Sequence, residues 1–313
     1  MTEIKKRHHY IWREYLRNWS INEKINSLLL QDKKILNDVN LMNVGQEKFF
    51  YKLEEFTREE EIILFELVKS WSNEATLEMN LEIFKTFTSY SKLKKIADDH
   101  FKLNPNNHLK LQSKLDAFKY NSIEDIHTLL ESFGKKIIAI KSMEDLKFLD
   151  DEKELFLTMI FIAFQYVRTK KMRAYVENVI KTHPILSIKF VDPFAFIFST
   201  NLADSLTFHQ DLTFTLLENF TSKEFITSDQ PLINLKKDIK DVNNKVKDFK
   251  VYYPLNPRLA LIIHCGEKAK EKYILEKPDE GEINKLNKFM LTNSDRFIFS
   301  QTPELLEYYK TFL

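Results

Sequence analysis

The single cysteine, Cys265, excludes an intramolecular disulfide and any thiolate metal cluster, and it fits a reducing cytosol. The apolar run Leu259-Ala260-Leu261-Ile262-Ile263 precedes it, so it reads as an inert core thiol. With only four glycines and eight prolines, long flexible linkers are excluded. There is no Gly-rich phosphate loop, no His-Glu-x-x-His helix, no Cys-x-x-Cys pair and no Gly-x-Ser-x-Gly elbow, which sets aside P-loop hydrolysis, zinc peptidase and α/β-hydrolase chemistry. Charge of one sign is missing too. Lys+Arg total 47 against 46 Asp+Glu, a formal net charge of +1, so no global field draws in nucleic acid or an anionic membrane, although a local basic patch stays open. The most apolar helical stretch, Leu155 to Val167, is short of the roughly 20 residues a bilayer requires. The basic N-terminus lacks a following apolar stretch and is not a secretory signal. A cytoplasmic protein without a membrane partner is expected.

What is present is aromatic and periodic. The 26 phenylalanines carry much of the apolar content. Residues 7 to 19 place Tyr10, Ile11, Tyr15, Leu16 and Trp19 at spacings that predict a short amphipathic helix. Lys24 to Gln31 and Lys34 to Val39 flank Asp32-Lys33, and Lys48-Phe49-Phe50-Tyr51 follows Gly45, which predicts a small antiparallel unit. From Arg58 to about Ile180 apolar residues recur every three or four positions, the pattern of packed helices. Ser122 and Ser142, each followed by acidic residues, read as N-caps. After His183-Pro184 come short β-prone runs at 213–217, 224–227, 250–254, 259–265, 272–275 and 296–300, with helices at 280–292 and 302–313. The polar segment Lys236 to Asp248 reads as a mobile loop. The expected fold is α+β: a helical middle domain packed against a mostly antiparallel C-terminal sheet, the two joined by the N-terminal segment. The units are 1–56, 57–183 and 184–313, forming one compact body.

Three segments can carry chemistry. The first is Arg7-His8-His9-Tyr10. Adjacent histidines on a helix diverge by about 100°, so one of them is free of the other's site, and His9 as an acid or base stands beside the alternative of two surface histidines. In the second, Gln165, Arg168 and Thr169 share a helix face and Arg173 extends the row; a guanidinium there can clamp a phosphate or carboxylate, or simply decorate a helix end. The third, Phe225-Ile226-Thr227-Ser228-Asp229-Gln230-Pro231, runs a strand into small polar residues. Asp229 there can bind a metal, orient His9, act as a base, or make an ordinary turn. The pairs Asp98-Asp99 and Asp150-Asp151 read as solvated faces or caps.

In that order, His9 with Tyr15-Leu16-Arg17-Asn18-Trp19, Gln165-x-x-Arg168-Thr169, and Phe225 through Asp229 with Pro231 resemble the motifs of a mainly bacterial family, domain of unknown function 4238. Phe50-Tyr51 and Tyr253 through Leu261 extend the resemblance to nearly the whole chain. Trp12 stands where the family pattern has proline, which gives up a fixed φ beside His9. The family name implies no activity, so function rests on the residues. His9, Arg168 and Asp229 as catalytic groups, with Gln165, Thr169, Arg173, Thr227 and Ser228 binding substrate, form a toolkit for phosphoryl or nucleotidyl transfer. The expectation is a cytosolic hydrolase or transferase on nucleic acid or a nucleotide, nuclease-like, in the role of a toxin or anti-phage effector. Asp229 is the candidate ligand for a divalent metal. The alternative is a non-catalytic binding or regulatory protein in which the same residues form a structural network.

Overall fold

The computed structural model describes residues 3–103, 108–208, 210–236, 249–265 and 271–313. Most of the Lys236 to Asp248 loop reading falls outside these. The opening segment is a strand and then a helix, where periodicity predicted one helix over 7–19. Strand β1 (Arg7–His9) pairs antiparallel with β4 (Gln46–Lys48), and helix α1 (Arg13–Arg17) follows a corner at Tyr10 to Trp12. Gly45 makes the corner possible. Its carbonyl accepts the N–H groups of Tyr10 and Ile11, its φ is +60°, and a Cβ there would lie 2.8 Å from Ile11. Trp12 sits at φ −63° with extended ψ, so it keeps the dihedral a proline would impose.

Strands β2 (Lys24–Leu29) and β3 (Lys34–Asn40) form the expected hairpin, but it joins neither β1 nor β4. It forms a four-stranded sheet, β3-β2-β11-β6, with β6 (Thr227–Ser228) and β11 (Phe297–Ser300) from the far end of the chain. The hairpin over residues 24–40 is therefore woven into the C-terminal region. The predicted 224–227 strand is reduced to β6, which leaves room for the polar turn after it.

The middle is helical: α2 (Arg58–Trp71), α3 (Glu74–Leu103), α4 (His108–Phe133), α5 (Lys135–Ile138), α6 (Glu152–Val167) and α7 (Lys170–Lys181). Ser142 makes its capping box with Asp145. Ser122 caps nothing; it lies inside α4, its hydroxyl donating to the Phe118 carbonyl. The helical layer runs past residue 183, since α8 (Val191–Phe208) packs on α6 and α3. Nearly every α6 residue from Thr158 onward is buried, which is why it shows no polar face. Phe164 meets His127 at 4.9 Å and Phe196 at 4.9 Å, centroid to centroid.

The second large sheet has the order β10-β5-β9-β8-β7. It comprises β5 (Leu212–Glu218), β7 (Ile233–Asn234), β8 (Phe249–Asn256), β9 (Leu259–Cys265) and β10 (Tyr273–Glu276), antiparallel except for β10 on β5. Helices α9 (Glu280–Asn293) and α10 (Pro303–Lys310) close the chain where expected. The fold is α+β, with the N-terminal segment wedged between helical layer and sheets.

Candidate functional site

The three motif segments meet, and the meeting is buried. Arg168 is the C-cap of α6, not part of a helix face running on to Arg173, and Thr169 is the N-cap of α7. Its guanidinium is fully inside the protein, against the expectation of a solvated helix end. There Nη1 donates to Glu131 Oε1 at 2.7 Å and Nη2 donates to the backbone carbonyl of His9. Burial works against this charge, and Glu131, Tyr51 and Glu124 more than offset it, so the guanidinium stays protonated. Tyr51 donates its hydroxyl to the Arg168 carbonyl at 3.3 Å.

Thr169 Oγ1 donates to Gln230 Oε1, and Gln230 Nε2 donates to the carbonyls of Leu232 (3.0 Å) and Tyr166 (3.3 Å). Thr227 shares its hydroxyl with Tyr15 at 2.5 Å, while Tyr15 donates to the Pro254 carbonyl at 2.7 Å. Ser228 closes a local turn, accepting from Gln230 N at 3.0 Å. Arg173 turns away to pair with Asp192 on α8 and lies over the Phe50 ring at 4.9 Å. Gln165 is buried, and its Nε2 has no partner within the protein.

Asp229 follows β6 and fastens the start of β11. Its Oδ1 accepts from Asp295 N (2.9 Å) and its Oδ2 from Arg296 N (2.7 Å) and Phe297 N (3.2 Å). Those donors favour the carboxylate, yet burial outweighs them and pushes its pKa up to about 6. Asp229 makes no hydrogen bond to Arg168 or His9. Its nearest tie to the first segment is electrostatic, to the Tyr10 phenol, which burial and then this carboxylate push upward. Among the described residues no group of three His, Cys, Asp or Glu side chains is placed to hold a metal ion, so Asp229 lacks co-ligands there.

His8 and His9 point to opposite faces because they lie on a strand. Contrary to the surface reading, His8 is completely buried; its Nδ1 accepts from Tyr51 N at 3.0 Å and its Nε2 meets the Lys5 carbonyl at 2.8 Å. His9 is half-buried. Burial, then Arg13 and Arg168, press its pKa down to about 4, so the imidazole is neutral near pH 7.

A fourth contributor lies outside the three motif segments. Glu124, His127 and Glu131 project from one face of α4 at intervals of three and four residues. Glu124 Oε2 and His127 Nδ1 are 3.9 Å apart. His127 is driven neutral by burial, then by Arg168, so the two form no ion pair. Burial pushes the Glu124 carboxyl up to about 7, with Arg168 opposing and Glu131 adding to the shift. The signal was present in the sequence as Glu124-x-x-His127-x-x-x-Glu131, a helical i, i+3, i+7 row.

This is an α+β protein built round a buried polar hub that ties β1, α4, the α6–α7 corner and the β6 turn together. It belongs to the family described as protein of unknown function (DUF4238), which matches residues 7–304. No curated protein and no solved structure matches it.

Proposed function

We propose that the hub is the active site of an enzyme acting on a phosphate-bearing substrate, a nucleic acid or a nucleotide. One observation supports this above the rest: the His9-Tyr10 dipeptide sits in a frame of cations. Arg7, Arg13 and Arg168 act on the imidazole. Arg296 acts on the Tyr10 phenol, and Lys170, paired with Glu47, lies 5.3 Å from its ring, with Asp229, Glu47 and Asp295 as the nearby acids. Such a frame suits an anion, and a neutral imidazole beside it can exchange a proton with the bound group. Arg168 serves as a positioning residue, because its Nη1 and Nη2 donors are engaged by Glu131 and the His9 backbone.

The test incubates purified parent and His9→Ala protein with labelled RNA, single-stranded DNA and nucleoside triphosphates. Turnover by the parent that falls about 100-fold or more in the variant, with melting unchanged, supports the proposal. Turnover that ignores the substitution would falsify it. A toxin or defence role adds that expression of the parent arrests bacterial growth while His9→Ala does not.

A second reading, a non-catalytic binding or regulatory protein, is favoured by Asp229. Both of its oxygens are committed to backbone N–H groups, as befits a structural lock. Under that reading Asp229→Ala lowers the melting temperature and no phosphate-bearing probe is consumed.

A further inference from the structure

The neutral His9 imidazole can accept a proton, but the motif carboxyl that would act as its partner acid, Asp229, is occupied. We propose that Glu124 is the proton-exchanging carboxyl of this site, standing beside the Arg168–Glu131 pair and the backbone of His9. The inference rests on the enzymatic reading above and replaces its motif aspartate with a residue outside every motif.

Arg168 forms a fixed bracket beside Glu124, with one arm on Glu131, two helical turns along α4, and the other on the His9 carbonyl. The His9 backbone amide also steadies the Glu124 carboxylate. Around this bracket lie buried polar atoms with no partner within the protein: His9 Nδ1, Glu124 Oε2, His127 Nδ1, Gln165 Nε2 and Arg168 Nε. His127, Gln165 and Arg168 are each only 2% exposed. Buried polar groups are nearly always paired, so unpaired donors and acceptors concentrated on three elements mark where an outside group is received. The Glu124 side chain retains 16% exposure, a route for protons that Asp229, at 2%, lacks. A carboxyl titrating near neutrality is suited to the task, since it is both available as an acid and regenerated as a base.

In hydrolysis of a phosphoester the oxygen of water forms the new bond to phosphorus and the bond to the leaving oxygen breaks. The leaving oxygen takes the proton of Glu124, the neutral His9 imidazole takes a proton from the attacking water, and that proton returns to Glu124 to complete the cycle. The step needs no oxidant or reductant.

The experiment compares parent, Glu124→Gln, Glu124→Asp and Asp125→Asn on the same RNA, single-stranded DNA and triphosphate probes, with thermal melts. Asp125 is the neighbouring acid that pairs with Lys5 on the outer surface and serves as control. Glu124→Gln should melt within about 3 °C of the parent, lose about 100-fold or more in kcat with KM little changed, and lose the limb of the pH profile near neutrality. Glu124→Asp should keep the limb at reduced rate, and Asp125→Asn should match the parent. A Glu124→Gln enzyme with the parent's kcat and pH limb overturns the assignment. Parent protein that consumes none of the probes overturns the enzymatic reading instead. Difference infrared spectra then decide Glu124 separately: a carboxyl titrating near pH 7 that Glu124→Gln removes sustains it, and its absence ends it.

Discussion

The Arg168 guanidinium crosses 159 residues of sequence to reach the backbone carbonyl of His9, not its ring. A contact to the main chain fixes where β1 ends whatever side chain occupies position 9. The same guanidinium carries Glu131, so β1, α4 and the α6–α7 corner depend on one charged group. The imidazole of His9 meets the Val44 backbone and keeps Nδ1 without a partner within the protein.

Arg168→Ala should therefore be among the most damaging single changes, because it leaves Glu131 unpaired and the His9 carbonyl without its donor. A loss of about 3–5 kcal/mol is expected from urea unfolding. Arg168→Met combined with Glu131→Leu should recover a large part of it. If the double variant is no more stable than Arg168→Ala, the pair is not the source of the loss.

Asp229→Ala strips the acceptor from three backbone N–H groups at the start of β11. Destabilisation of about 3 kcal/mol or more is expected, since each stranded buried donor costs roughly 1–3 kcal/mol. A melting temperature within 1 °C or so of the parent would show that the lock at β11 is idle.

Gly45→Ala tests the corner that presents His9 and Tyr10. Its φ of +60° disfavours a side chain, and the added methyl would sit 2.8 Å from Ile11. A cost of roughly 1–3 kcal/mol is expected, with faster amide exchange at Tyr10 and Ile11, whose N–H groups bond the Gly45 carbonyl. Unchanged exchange at both amides would contradict the role given to the glycine.

The pH dependence has two opposing parts. Glu124 and Asp229 have folded-state pKa values raised to about 7 and about 6, so the folded chain holds protons the unfolded chain has released. Their contribution is present below the ordinary carboxyl range and is lost as pH rises toward 6 for Asp229 and toward 7 for Glu124. His9 is lowered to about 4, so its contribution is present above 6.5 and lost as pH falls to about 4; buried His8 and His127 act in the same direction. Glu124→Gln removes one slope. Its stability relative to the parent should be lower at pH 5 than at pH 8 by ~2–3 kcal/mol, at about 1.4 kcal/mol per pKa unit. Urea titrations at the two pH values give the difference, and a null or reversed difference would exclude a raised Glu124.

The helical middle, the hairpin over 24–40, the late strands and the closing helices were legible because each follows from a local rule: apolar period, turn residues and caps act over a few positions. The strands at 213–217, 250–254 and 259–265 fell within about two residues of β5, β8 and β9. Where local rules disagreed with long-range pairing, the pairing won. Residues 7–9 became a strand because residues 46–48 supply its partner, and that one change buried His8 and set His9 half-buried on the opposite face.

The sequence by itself determined the secondary-structure inventory of the middle and end of this protein, the α+β class and the three segments that converge, since periodicity, composition and motif order are written along the chain. Only the tertiary structure decided what the convergence consists of. Burial turned Arg168 into a bracket, three backbone N–H groups turned Asp229 into a fastener, and the packing of α4 against α6 placed Glu124 and His127 in the hub. Desolvation and hydrogen bonding between residues 37 to 159 positions apart depend on distances that no local pattern encodes.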